Sequence, residues 1–389
     1  MSLINETIQI LDRLIAFPTV SSDSNLELIV YASELLEHHG FRTTVSRDDT
    51  GKKANLFATL GPDAPDGIVL SGHTDVVPAD AADWTSEPFR LRQEGDLLFG
   101  RGTCDMKGFI ATVLAMAPHY AALTLQRPLH VALTYDEETG CFGARHLVEE
   151  LKAQDIRPSV AIIGEPTSMR VIEGHKGCYE YTTCFHGTDG HGSDPDKGVN
   201  AIHYAVRFMT RLMELGETVK AGAQFSNERY QPPWTTVQVG RIEGGKARNV
   251  IARNCSVEWE MRPVQHADAT LIKEALEDYC RTQLLPEMQA VSADARIVTE
   301  IIGEVAGLEV MSDNEARDIV CKLTGSELCD VVAFGTEAGL FQSLGMSVVV
   351  CGPGSIAQAH QPDEYVSISQ LQSCLEMLHG LSATLERRA

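Results

Sequence analysis

Ile68-Val69-Leu70-Ser71-Gly72-His73-Thr74-Asp75 is an apolar run that breaks, at its end, into glycine and polar residues. Runs of this length, bounded by Gly, Pro or polar residues, are the pattern of strands buried on both faces of a parallel sheet. Three more of the kind are Asn55 to Leu60, His130 to Tyr135 and Val160 to Ile163. Lys107 to Tyr120 reads as a helix among them. Ile4, Ile8, Leu11 and Ile15 recur at helical spacing, and an amphipathic run from Leu26 to His39 stops at Gly40, a residue suited to ending a helix. The first part of the chain is therefore expected to be α/β, a mostly parallel sheet with helices on both faces.

After Gly177 the pattern changes to alternation. Tyr179, Tyr181, Thr183 and Phe185 point one way along a strand, and Val199 to Gly216 follows as a helix. Thr235 to Ile242 and Cys255 to Met261 read as strands, Ala269 to Leu285 as a helix and Ile297 to Ile302 as a strand. The order β-α-β-β-α-β is that of a ferredoxin-like α+β unit. A helix over Glu315 to Leu323 and a strand over Ser347 to Cys351 return to the α/β pattern of the first part. Two domains are expected for 389 residues, with 178–305 inserted between 1–177 and 306–389.

Composition narrows the partners. The 32 basic residues against 54 acidic ones give a formal charge of -22, and no Lys/Arg cluster interrupts it. Such a surface repels phosphate backbones and anionic lipid, which excludes nucleic acid and membrane surfaces as expected partners. The Ile4 to Phe17 stretch carries Glu6, Asp12 and Arg13, so it does not read as a signal peptide or membrane span. Ten scattered cysteines without a CxxC pair read as mostly buried, reduced thiols, and the expected location is the cytoplasm.

Several stretches carry residues suited to metal-assisted hydrolysis, in which imidazoles and carboxylates hold ions and leave room for water. His73 stands where ligands collect in α/β sheets, and Asp75 could accept its other ring N–H; a turn with a surface His and a capping Asp is the plain alternative. Asp105, in Gly100-Arg101-Gly102-Thr103-Cys104-Asp105-Met106-Lys107-Gly108, either bridges ions or caps a helix. Asp136, Glu137 and Glu138 repel one another unless a cation is near; they form either an acidic loop or a division of labour in which one Glu binds metal and the other moves a proton. Glu165 and His360, each after an apolar strand, are surface residues or ligands.

Taken in order, SGHTDVVP (71–78), GRGTCDMKG (100–108), DEETG (136–140), GEPT (164–167) and AHQPDEY (359–365) resemble the motifs of the two-zinc metallopeptidases. That family includes glutamate carboxypeptidase, aminoacylase, succinyl-diaminopimelate desuccinylase and acetylornithine deacetylase, and the resemblance covers essentially the whole chain. It implies two zinc ions, with cobalt a possible substitute. His73 and Glu165 would bind one, Glu138 and His360 the other. Asp105 would bridge them, Glu137 would be the general base and Asp75 would support His73. The inserted domain is implied to act as a lid, to form a homodimer and to supply a histidine to the partner's site. The matching stretch Gly187 to Pro195 assigns that role to His191, departing from the family's AHSSxP pattern at Gly190, Gly192 and Asp194. Asn249 and Arg262 match positions near the substrate carboxylate; alone, they read as a turn residue and a strand-end ion pair.

The segments Gly335-Thr336-Glu337-Ala338-Gly339 and Gly352 to Tyr365 are most similar to the family's acetylornithine deacetylase branch. Because an acid near the second metal would suit an ammonium group, Glu337 is expected to read the cationic end of an ornithine-like substrate. The expected activity is hydrolysis of a small N-acyl amino acid, first N-acetylornithine to ornithine and acetate in arginine biosynthesis. A desuccinylase, an aminoacylase and a dipeptidase remain alternatives on the same ligands. A metal-binding scaffold without catalysis is the non-enzyme rival, and Glu137 beside a complete ligand set argues against it.

Overall fold

Strands buried on both faces build the core sheet that contains the run ending at His73. The computed structural model describes residues 2–222 and 229–386. Its strands, in chain order, are β1 (Arg42–Arg47), β2 (Ala54–Leu60), β3 (Ile68–His73), β4 (Arg92–Glu94), β5 (Leu97–Phe99), β6 (Leu129–Thr134), β7 (Val160–Pro166), β8 (Ile172–His175), β9 (Cys178–His186), β10 (Thr236–Gly244), β11 (Asn254–Arg262), β12 (Arg296–Val305), β13 (Asp330–Val332), β14 (Ser347–Gly352) and β15 (Tyr365–Ser367). The helices are α1 (Leu3–Ile15), α2 (Leu26–His38), α3 (Lys107–Ala121), α4 (Phe142–Ala153), α5 (Ala201–Gly222), α6 (His266–Tyr279), α7 (Leu285–Val291), α8 (Glu315–Thr324), α9 (Ala338–Gln342) and α10 (Ile368–Leu385).

The eight-stranded sheet runs β1-β2-β6-β3-β7-β14-β8-β13. Its four middle strands, β6, β3, β7 and β14, are parallel, while β1 with β2, β2 with β6 and β14 with β8 pair antiparallel. Every residue of β3, β6 and β7 is buried, so none could show the alternation of a half-exposed strand. α3 is buried along most of its length because it packs against α1, α10, β3 and β7. The carboxyl ends of the four parallel strands therefore lie along one edge, where polar groups can gather.

The described chain divides into two compact units. One runs to Gly174 and takes up again at Val310–Val331 and from Thr336; the other is His175–Glu309 with Val332–Gly335. In the second unit the sheet order is β10-β11-β9-β12, antiparallel throughout. That is the order a ferredoxin-like β-α-β-β-α-β chain adopts. Tyr181, Phe185, Phe208, Trp259 and Leu276 form its core. The expected single helix from Ala269 to Leu285 is interrupted: a wide π turn at Cys280–Leu284 separates α6 from α7. Pro286, at the start of α7, has no N–H to continue the helical ladder.

None of the ten cysteines forms a disulfide; five are buried and five half-buried, so the expected burial holds for half of them. Among the described residues no helix is long and apolar enough to cross a membrane.

Candidate functional site

The carboxyl edge of the parallel strands gathers two imidazoles and four carboxyls, all from the first unit. His73, the last residue of β3, directs Nε2 at Asp105 Oδ1 (3.0 Å) and Glu165 Oε1 (3.7 Å). His360, on the loop after β14, directs Nε2 at Asp105 Oδ2 (3.4 Å) and Glu138 Oε2 (3.0 Å). Asp105 thus offers one oxygen toward each histidine. Ligand atoms of His73, Asp105 and Glu138 lie within 4.8 Å of one another, as do those of His73, Glu137 and Glu165. Asp105 alone does not follow a strand of the large sheet. It rises from the glycine-rich turn before α3, where the preceding strand, β5, belongs to a small sheet with β4 and β15.

Charge shows what this cluster would hold. Burial raises the Glu137 and Glu165 carboxyls well above the ordinary carboxylate range, and their acidic neighbours raise them further. Glu138 moves up for the same reasons, chiefly burial and then Asp105. Burial would lower His73, yet Asp105, Asp75 and Glu165 outweigh it and raise the imidazole well above normal. Bonds to Asp105 and Glu138 raise His360 to about 10. Acids driven toward their neutral form beside imidazoles driven toward their charged form mark a cavity short of positive charge. Glu165 Oε1 is moreover buried without a hydrogen-bond partner. Nitrogen and oxygen donors, a carboxylate facing both ways and an unpartnered buried oxygen all fit a pair of divalent cations.

The supporting groups differ in part from expectation. The His73 Nδ1 reaches the main-chain oxygen of Asp75 at 2.9 Å, closer than the Asp75 carboxylate at 3.6 Å. That carboxylate instead accepts from Ser21 Oγ (2.7 Å) and from the main-chain N–H groups of Glu137 (3.1 Å) and Glu138 (3.3 Å). Asp75 therefore ties the β3 end to the acidic pair. Asp136, the third acid of that loop, is taken up by Lys53 Nζ at 2.6 Å.

Glu337 requires correction. It is fully buried, and its two oxygens accept from Ser71 Oγ (2.5 Å) and Thr134 Oγ1 (2.7 Å), hydroxyls on β3 and β6. Both oxygens are engaged beneath the strand ends, so this carboxylate braces two strands and is not placed to read an ammonium group.

Glu364 and Lys53 follow no strand end and carry no signal of that kind in the sequence. Glu364 is still discoverable as an acid four residues beyond His360 in the same motif. It is 1% exposed and lies against the turn of Asp105.

His191, Asn249 and Arg262 belong to the second unit. His191 and Asn249 are exposed and brought side by side: His191 bridges Val250, Gly192 N–H donates to Asn249 O (2.8 Å) and Ile251 N–H to Gly190 O (2.9 Å). The pairing leaves little room at two of the positions that depart from the family pattern. A Cβ on Gly192 would sit 3.1 Å from the Asn249 main chain, and one on Gly190 would sit 3.0 Å from Ile251 Cδ1. Arg262 is held by Glu260, Nη2 to Oε2 at 2.7 Å, so a substrate carboxylate would have to compete for it.

Comparison with known proteins agrees with this geometry. Residues 69–384 match peptidase family M20/M25/M40. The chain is 37% identical over 382 residues to the acetylornithine deacetylase of Klebsiella pneumoniae (strain 342), covering 95% of each chain. It is 36% identical over 393 residues to that of Pasteurella multocida (strain Pm70), covering 98% of each. The Bacillus subtilis YXEP protein, a dinuclear metal-binding peptidase, shares the fold with a TM-score of 0.67 over 99% of both chains at 15% identity.

Proposed function

This chain belongs to peptidase family M20/M25/M40, a family of metal-dependent amide hydrolases, and from that membership we propose that it converts N-acetylornithine to ornithine and acetate. In this reading His73 and Glu165 would hold one zinc ion and Glu138 and His360 the other, with Asp105, which turns one oxygen toward each histidine, available to both. Full-length likeness to relatives named acetylornithine deacetylase is the single observation that carries the substrate.

Bound there, the cations would polarise the amide carbonyl and lower the pKa of a water. Glu137 takes a proton from the attacking water and returns it to the leaving amine. Asp75 bonds the main-chain N–H groups of Glu137 and Glu138, holding base and ligand in fixed relation. The main-chain oxygen of Asp75 engages His73 Nδ1, which leaves Nε2 as the ligand atom. His191 of the partner subunit steadies the oxyanion, and Asn249 and Arg262 take the substrate carboxylate. The assembly is a cytoplasmic homodimer joined through the second unit and acting in arginine biosynthesis; ten cysteines without a disulfide suit a reducing compartment.

The test is hydrolysis of N-acetylornithine, N-succinyl-diaminopimelate, N-acetylmethionine and a dipeptide before and after chelation, with metal content by mass spectrometry and solution mass by light scattering. N-acetylornithine should give the highest kcat/KM, chelation should abolish turnover, zinc or cobalt should restore it and the mass should be that of two chains. Hydrolysis that survives chelation, or a different preferred substrate, would sink the proposal.

A further inference from the structure

The carboxylate of Glu364 fills a concavity in another segment of the chain. Oε2 accepts from Arg101 Nη1 (2.7 Å) and Gly102 N–H (3.0 Å), and Oε1 from the N–H groups of Cys104 (2.8 Å) and Asp105 (3.0 Å). Main-chain N–H groups turned inward by a glycine-rich turn make an anion-binding nest. Here the occupant is supplied by the chain itself.

The same contacts join three segments that carry candidate ligands. Gly100 N–H donates to Glu364 O (3.0 Å), so the turn and the His360 loop are bonded through main chain as well as side chain. Arg101 Nη1 also reaches Gln361 O, and Nη2 reaches Pro78 O, on the segment that follows His73, each at 3.4 Å. A buried carboxylate is tolerated only when its lone pairs are engaged, and this one has four donors, one of them cationic. Neither a glutamine nor an aspartate can replace it in full. The amide of Gln must turn N–H groups toward donors, and Asp is one methylene too short to span both pairs.

We infer that Glu364 is a positioning residue for the reaction. It fixes the main chain of Asp105 against the loop of His360, so that the Asp105 carboxylate presents one oxygen to each histidine. The inference rests on the two-ion reading proposed above and adds to it the group that sets the bridging carboxylate.

Glu364→Gln tests it. Metal affinity of the chelator-stripped protein, read by competition with a chromophoric chelator, should weaken about 10–100-fold. Turnover should fall by a similar factor, with KM changed less than about twofold, because the substrate is not what Glu364 touches. In metal-free protein, hydrogen exchange of a peptide covering residues 100–106 should accelerate, with other peptides of the first unit unchanged. Arg101→Lys should repeat these effects more weakly, since an ammonium keeps the charge and gives up the guanidinium fork. Unchanged metal affinity and unchanged exchange in a Glu364→Gln protein that melts like the parent would overturn the inference. If Glu364→Gln does not fold, Arg101→Lys decides by the same two readouts. Failure of the parent protein to bind any metal would remove the two-ion reading, whereas the exchange comparison would still show whether Glu364 holds the Asp105 turn.

Discussion

The two units present their candidate residues in opposite ways. In the first, His73, Asp105 and Glu165 are buried, and His73 and Asp105 are engaged from behind by the main-chain oxygen of Asp75 and by Glu364. In the second, His191 and Asn249 stand exposed on a bridged pair of loops. Under the proposed function the difference follows from what each set would do. Gathering four carboxyls in one place costs free energy through mutual repulsion, so it persists only on a scaffold that leaves them nowhere to turn. Groups that meet a substrate must stay accessible, and their order comes from tight backbone pairing. His360, with half its side chain exposed, belongs to the first set by charge and to the second by access.

The largest expected effect breaks the first set at its reactive member. Glu137→Gln should keep its metal, by mass spectrometry, and lose about 10³-fold in kcat. Near-normal turnover would remove Glu137 from the role and leave the cluster a binding site. Next, His191→Ala should lower kcat by about 10²-fold and change unfolding free energy by less than about 0.5 kcal/mol, since the side chain is exposed. Mixing Glu137→Gln chains with His191→Ala chains should restore activity that neither has alone. No restoration would mean that His191 does not serve a neighbouring subunit.

The smallest effect sharpens the comparison inside the first unit. His130 pairs across β6 with Val69 of β3, away from the acids, and burial without acidic neighbours lowers it to about 4, the reverse of the shift at His73. Its Nε2 is buried without a partner. Because the folded value lies below the ordinary 6.5, protons prefer the unfolded chain; the stabilisation is complete above 6.5 and is lost as pH falls toward 4. At pH 5 the loss is about 2 kcal/mol. His130→Phe, which keeps the stacking on Phe57, should abolish that part of the difference in urea midpoint between pH 7.5 and pH 5. An undiminished difference would show that His130 does not titrate on unfolding.

Much of the fold is legible in the sequence because burial on both faces leaves a continuous apolar signature, as in β3, β6 and β7. The second unit is legible for the opposite reason: β9 is covered on one face and alternates. The small sheet is only half local: β4 and β5 join through the two-residue turn Gly95-Asp96, whereas β15 meets β5 only after the intervening chain has folded. At the site, His73, Glu138, Glu165 and His360 can be chosen by residue type and position. Glu337 misleads because an acid in a motif does not reveal that Ser71 and Thr134 enclose it. Glu364 can be noticed in the His360 motif, but its role stays hidden because its partners are mostly main-chain N–H groups, which nearly every residue possesses.

By itself the sequence determined which residue types were available and on which strand and loop positions they fall, since hydrophobic period and glycine placement are local properties. Tertiary structure alone decided which carboxylates face the cluster and which brace it from below. That choice depends on a few ångströms between segments far apart in the chain, and on burial that turns ordinary acids and imidazoles into a charge-deficient pocket.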